Sequence, residues 1–184
     1  MLQKSKSAVA IIGPTGVGKT AVAFALARHL GNGEVINLDK IYLFKHFRIS
    51  SGLSDSLKEK DVKKHFYELL EPNENIIDPV NYAEMVMNKC EEIIKNGGVP
   101  IIEGGSTTFF PDFYQLNQKK KICKIIGLKF FSDFDIEKKI IQRVEEAFKE
   151  GLLEEIIKNL KKYRNTLVMQ DGHCVVPLVS YLDK

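Results

Sequence analysis

A chain of 184 residues, 44% hydrophobic and 28% charged, is long enough to bury a sizeable core and too ordinary in composition for a disordered or fibrous protein. Its 27 basic against 24 acidic residues leave a formal charge of +3, too slight an excess to point to nucleic acid. Cys90, Cys123 and Cys174 stand far apart in the chain without C-x-x-C spacing, which argues against a zinc site or a disulfide framework and leaves reduced, structural thiols. The polar Met1–Ser7 stretch runs directly into a strand, and no apolar run approaches the length of a membrane span. The expectation is a cytoplasmic protein with one domain over residues 1–184 and no membrane partner.

The first predicted element is a buried strand, Ala8–Ile12. It leads into Gly13-Pro14-Thr15-Gly16-Val17-Gly18-Lys19-Thr20, a complete G-x-x-x-x-G-K-T phosphate loop, and then into a helix that reaches Leu30. Gly16 and Gly18 allow turns that side chains with a Cβ resist, so successive N–H groups point inward as an anion nest. The helix that begins near Lys19 adds the positive end of its dipole. Lys19 brings a mobile cation to the outer phosphate, and the Thr20 hydroxyl suits Mg2+. A di- or triphosphate is the ligand this chemistry fits.

Gly31-Asn32-Gly33 stops the helix, and Glu34–Leu38 follows as a short buried strand. It sets Asp39 at its C-terminal end, facing the phosphate loop, on the edge where open α/β sheets do their chemistry. Arg48–Asp61 carries Ser50-Ser51-Gly52 and alternating charges without an apolar period, and reads as a mobile connection able to close over substrate. Asn81–Lys95 has a helical apolar face of Tyr82, Met85, Val86, Cys90, Ile93 and Ile94, ended by Gly97-Gly98.

A buried strand at Val99–Ile102 runs into Glu103-Gly104-Gly105-Ser106-Thr107, where paired glycines allow backbone to approach a ligand closely. Lys119, Lys120, Lys121 and Lys124 read as a solvated loop. Lys121–Phe131 is predicted as a strand, and Asp135–Phe148 and Leu152–Tyr163 as amphipathic helices separated at Gly151, with Arg143 on the first. Val175–Leu182 reads as a helix with Pro177 in its first turn. His29, His46, His65 and His173 lack the spacing of a metal site or a triad. The alternation of elements predicts an α/β fold of P-loop NTPase type, an open and mostly parallel sheet with helices on both faces.

Taken together, the phosphate loop, Leu38-Asp39, the segment HFYELLEP at 65–72, the turn Glu103–Thr107, Gln142-Arg143-Val144 and Asp171-Gly172 resemble the isopentenyltransferase family over nearly the whole chain. That family moves a dimethylallyl group from dimethylallyl diphosphate to the exocyclic amine of adenine, in a transfer RNA anticodon loop or in a free nucleotide. The amine shares its lone pair with the ring and needs a positioned base. The resemblance gives that role to Asp39. It also implies a diphosphate site of Gly13, Pro14, Thr15, Gly16, Gly18, Lys19 and Thr20 with Arg143 as second cation, and Mg2+ on Thr20. Thr15 would hydrogen-bond the donor's bridging oxygen or the acceptor amine, and Gly105, Ser106 and Asp171 would face the acceptor.

The roughly thirty residues between Ser106 and Asp135 leave little room for the helical insertion with which the transfer RNA enzymes grip RNA. Glu-Gly-Gly-Ser-Thr and Asp171-Gly172 are also more similar to the bacterial adenylate enzymes. The expectation is therefore an adenylate dimethylallyltransferase of cytokinin biosynthesis, acting on AMP, with a transfer RNA acceptor as the alternative. The chain departs from the family pattern at Leu53-Ser54-Asp55-Ser56, at Tyr42 and at His173-Cys174. A small P-loop kinase, with Asp39 as base and Glu103 organising Mg2+, is the rival reading. It is disfavoured by the scatter of Arg28, Arg48, Arg143 and Arg164, since kinase lids bring several cations to the transferred phosphoryl.

Overall fold

Strand β1 (Ala8–Ile12) lies between two strands that are distant in sequence, β4 (Val99–Gly104) and β5 (Cys123–Gly127). With β2 (Gly33–Leu38) and β3 (Lys63–His65) they form a five-stranded parallel sheet in the order β3-β2-β4-β1-β5, the open α/β arrangement of P-loop NTPases. The computed structural model describes residues 7–53, 60–131, 135–172 and 175–183. Met1–Lys40, Glu59–Tyr67 and Ile77–Phe130 make one compact unit, and Ile41–Lys58, Glu68–Ile76 and Phe131–Lys184 make a second.

In the first unit, helix α1 (Lys19–Leu30) lays Ala23, Phe24 and Ala27 on Ile11, Val35 and Ile101, neighbours across the sheet. Left-handed glycines bound the helix, Gly18 at φ 97° and Gly31 at φ 72°, as its stop signal requires. A Cβ on Gly33 would lie 2.5 Å from the Ala27 Cα, so glycine alone lets β2 start this close to α1. The alternate sheet residues Ala10, Ile36, Leu38 and Ile102 are buried as well, so both faces of the central strands are covered.

Helix α3 (Pro79–Lys95) packs on β2 and β4 and begins two residues before the apolar periodicity does. Its start is set by polar chemistry: Asp78 accepts from the Val80 and Asn81 N–H groups, and Pro79 occupies the first turn. The lysine run is not a loop, because α4 (Phe110–Lys120) ends there. Lys119 and Lys120 sit in its last turn, where cations meet the negative end of a helix, and Lys120 pairs with Glu91 at 2.8 Å. Lys121 closes it at φ 53°, and β5 is accordingly shorter than the strand expected over 121–131. Buried Asn117 brackets the turn by donating to the Cys123 carbonyl and accepting its N–H. Cys90 and Cys123, far apart in sequence, are free thiols in hydrogen-bond contact, a contact that together with burial pushes the Cys90 thiol up. Cys174 lies outside the described residues.

The second unit contains a 3-10 turn (Ile41–Leu43), the single helical turn α2 (Arg48–Ser51), α5 (Ile136–Lys149), α6 (Leu152–Tyr163), α7 (Leu167–Asp171) and α8 (Val175–Leu182). The start of the supposed mobile connection is thus ordered. Glu155 on α6 accepts the Ile49 and Ser50 N–H groups at 2.9 Å each, Gly52 closes the turn at φ 74°, and Phe47 and Leu53 are buried. A cap drawn from a helix a hundred residues away leaves no local apolar period to read. Residues 54–59 of that connection lie outside the described residues. Gly151, at φ 100°, separates α5 from α6 as expected. Among the described residues no helix is long and apolar enough to cross a membrane.

Candidate active site

At the carboxyl edge of the sheet the phosphate loop turns through Gly13, Gly16 and Gly18, at φ 152°, 82° and 97°. Gly13 has no room for a side chain, since a Cβ there would lie 2.6 Å from the Leu128 carbonyl oxygen. Thr15 stands exposed at the crest of the loop, and the Lys19 ammonium curls back to donate to the Pro14 carbonyl at 3.1 Å.

Beside the loop, the penultimate residue of β4 is Glu103, a fully buried carboxyl. It accepts the Thr20 hydroxyl at 3.0 Å on one oxygen and the Tyr67 hydroxyl at 2.8 Å on the other. Burial lifts its pKa to about 7, against the lowering effect of the Tyr67 hydrogen bond; the Asp39 charge lifts it further, while Thr20 and Lys19 oppose. Glu103 therefore shares one electrostatic environment with Asp39 and Lys19. Tyr67 is flanked by two residues in left-handed backbone, Phe66 at φ 66° and Glu68 at φ 52°.

Asp39 follows β2 and is held by a bracket. Its N–H donates to the Asn37 Oδ1 at 2.6 Å, and the Asn37 Nδ2 donates to the Asp39 and Phe66 carbonyls at 2.9 and 3.0 Å. Asn37 is fully buried, and its own carbonyl accepts the Tyr82 hydroxyl at 2.8 Å. Burial, with the Asp39 and Glu103 charges, pushes that phenol well above its ordinary pKa and keeps it a donor.

The glycine pair of the Glu103–Thr107 turn serves the protein's own backbone. A Cβ on Gly104 would lie 2.6 Å from the Leu38 carbonyl carbon, and one on Gly105 would lie 3.2 Å from the Gly13 oxygen. Glycine here lets the ends of β2, β4 and the phosphate loop close on one another. Ser106 also has a local task, accepting the Phe109 N–H at 3.3 Å ahead of α4.

Gly13, Pro14, Thr15, Gly16, Gly18, Lys19, Thr20, Asp39, Gly105 and Ser106 thus share the carboxyl edge of the first unit. Arg143 and Asp171 belong to the second. The Arg143 guanidinium lies over Gly52 and donates to the Ser51 carbonyl at 3.3 Å, and Asp171 is the last residue of α7. Tyr42 lies in the 3-10 turn, its carbonyl accepting the Glu68 N–H. The departures at Ser54–Ser56 and His173-Cys174 fall outside the described residues.

Sequence reasoning passed over Asn37, Tyr67 and Tyr82, and gave Glu103 a part only in the kinase reading. A signal existed for two of them: Asn37 and Glu103 are polar residues inside otherwise apolar strands, where burial demands a partner. Among the described residues, no group of three or more His, Cys, Asp or Glu side chains suits a metal. The Thr20 hydroxyl, with the Asp39 and Glu103 carboxylates in the same field, is a sparse set of hard oxygens. That set fits Mg2+, which is held through one or two carboxylates together with substrate phosphate oxygens.

A family model described as isopentenyl transferase matches residues 6–176. A tRNA dimethylallyltransferase of Acetivibrio thermocellus is 28% identical over 143 residues, covering 77% of this chain and 42% of that protein. One from a Hydrogenobaculum species is 30% identical over 175 residues, covering 88% of this chain and 57% of its own. The chain thus spans between two-fifths and three-fifths of the length of these relatives. Among solved structures, the Bacillus halodurans tRNA isopentenylpyrophosphate transferase shares the fold with a TM-score of 0.78 at 21% identity, over 97% of this chain and 78% of that one.

Proposed function

The chain belongs to the isopentenyl transferase family, and on that premise we propose that it transfers a dimethylallyl group from dimethylallyl diphosphate to the exocyclic amine of an adenine. The observation that carries this reading is the junction of phosphate loop and base. Thr20 of the loop is tied to Glu103, and Glu103 lies in the field of Asp39.

In the reaction, the amine lone pair attacks C1 of the allyl group, and the C1–O bond breaks with its electron pair leaving on the diphosphate. The proton released from the amine goes to an Asp39 carboxylate oxygen. The loop amides and Lys19 meet charge as it builds on the leaving group, so they bind the transition state more tightly than the substrate. Mg2+, held by Thr20 and the neighbouring carboxylates, would neutralise part of the same charge. The Asn37 bracket holds the backbone of Asp39, and closure by Gly104 and Gly105 keeps base and loop close without a mobile side chain between them. By resemblance, Thr15 hydrogen-bonds the bridging oxygen or the amine, Arg143 supplies a second cation, and Asp171 contacts the acceptor.

The names of the relatives support an adenosine of transfer RNA as the acceptor, in place of the AMP expected from the sequence. One observation favours a free adenine nucleotide as a second reading. The interval from the glycine turn to α5 is occupied among the described residues by α4 and β5, core elements of the first unit, without an inserted domain.

The test is incubation of the full chain with Mg2+, dimethylallyl diphosphate and, separately, unmodified transfer RNA, AMP, ADP or ATP, followed by mass spectrometry. An added prenyl group on RNA adenosine is expected, and prenylated nucleotide alone would establish the second reading. Asp39→Asn is expected to slow transfer about 10²- to 10⁴-fold, the range of a lost general base. Its affinity for inorganic diphosphate should stay within a few-fold of wild type. An unchanged transfer rate would remove Asp39 from the mechanism.

A further inference from the structure

Helix α5 has an apolar side that, among the described residues, is left exposed. Ile136, Ile140, Val144 and Phe148 recur every four residues with Ile141 beside them, and all are exposed, from 40% for Val144 to 56% for Ile140. The remaining residues of the helix are exposed too, apart from half-buried Ala147. A helix of 14 residues is near the length at which an isolated helix is marginal in water, and amphipathic helices persist because the stripe is covered. The Asp135 cap, which accepts the Lys138 N–H, does not replace that burial.

We propose that α5 pairs antiparallel with α5 of a second copy of this chain, forming a two-fold symmetric dimer. The order of residues along the helix is what selects this occupant. Lys138 and Glu145 are two turns apart and so lie on one edge of the stripe, while Ile140 and Ala147, also two turns apart, lie on the other. Reversal about an axis level with Gln142 and Arg143 sets Lys138 against Glu145 of the other copy, and Ile140 against its Ala147. Along the seam Ile141 then faces Val144, and Phe148 comes level with Glu137 of the other copy. One edge of the pair is charge-complementary twice over, and the other is apolar throughout. A parallel pair would instead set the apolar edge of one copy against the charged edge of its mate.

The polar positions of α5 argue against other occupants. They mix both signs, with Glu137, Glu145 and Glu146 among Lys138, Lys139, Arg143 and Lys149, whereas an anionic lipid surface or RNA selects a face of one sign. A single helix pair is smaller than a standard interface, so the dimer is a weak one, in the micromolar range of about 1–100 µM.

Sedimentation velocity on the full chain over a concentration series tests the pairing. Wild type is expected to pass from monomer to dimer, and Ile141→Glu to remain monomeric with an unchanged circular dichroism spectrum, because the residue is exposed in the protomer. Lys138→Glu should weaken association about tenfold or more, and Lys138→Glu combined with Glu145→Lys, which restores opposite charges across the axis, should recover it. A wild type that stays monomeric throughout, an Ile141→Glu dimer of undiminished affinity, or a charge swap without rescue would each overturn the proposal.

Discussion

Glu103 shows how one buried carboxyl ties stability to pH. Its folded pKa of about 7 stands above the ordinary 4.5, with burial as the first cause. The stabilisation associated with its protonated form is complete below about pH 4.5 and is lost as pH rises through 7, roughly 3 kcal/mol in all. In Mg2+-free buffer, the stability of wild type relative to Glu103→Gln is expected to fall between pH 5 and pH 8, as read by urea unfolding. A difference that stays flat across that window would mean the carboxyl ionises freely. At this scale the sequence was informative about placement, since the loop motif and the strand before Asp39 put Lys19, Thr20 and Asp39 on the carboxyl edge of the sheet. It was silent where a partner came from afar. Nothing local joins Tyr67 to Glu103 or Tyr82 to Asn37, because those hydrogen bonds exist only once β2, β4 and α3 have met.

Elements with their own punctuation were the legible ones. Gly18 and Gly31 bound α1, Gly151 divides α5 from α6, and the apolar run of β1 delivers the loop, all readable from the residues themselves. The exceptions have specific causes. The three-residue β3 is too short and too basic to show an alternation, α4 hides behind a lysine-rich last turn, and α2 borrows its cap from α6. That borrowed cap makes a prediction at the scale of the element. Glu155→Ala leaves the Ile49 and Ser50 N–H groups without their acceptor and should destabilise the protein by about 1–2 kcal/mol. Urea unfolding of the full chain measures it, and a change within about 0.3 kcal/mol would show that water replaces the carboxylate at no cost.

For the whole molecule, the alternation of strands and helices conveyed the α/β class, while the acceptor was not written in composition or periodicity at all. A ligand that binds only the folded loop stabilises the fold by mass action. Inorganic diphosphate with Mg2+ at a hundred times its dissociation constant should contribute about 2.7 kcal/mol and raise the melting temperature by several degrees. Lys19→Ala should lose most of that shift in differential scanning fluorimetry, and an equal shift in both proteins would place diphosphate somewhere other than the loop. The strand order has a consequence for birth on the ribosome. β1 is flanked by β4 and β5, so its neighbours are made only after the chain has grown by some 90 residues and more. At about 5–20 residues per second, the strand that leads into the phosphate loop waits roughly 5–20 seconds with both edges open. During translation, its unpaired edges are the surface on which a nascent-chain chaperone has most to protect.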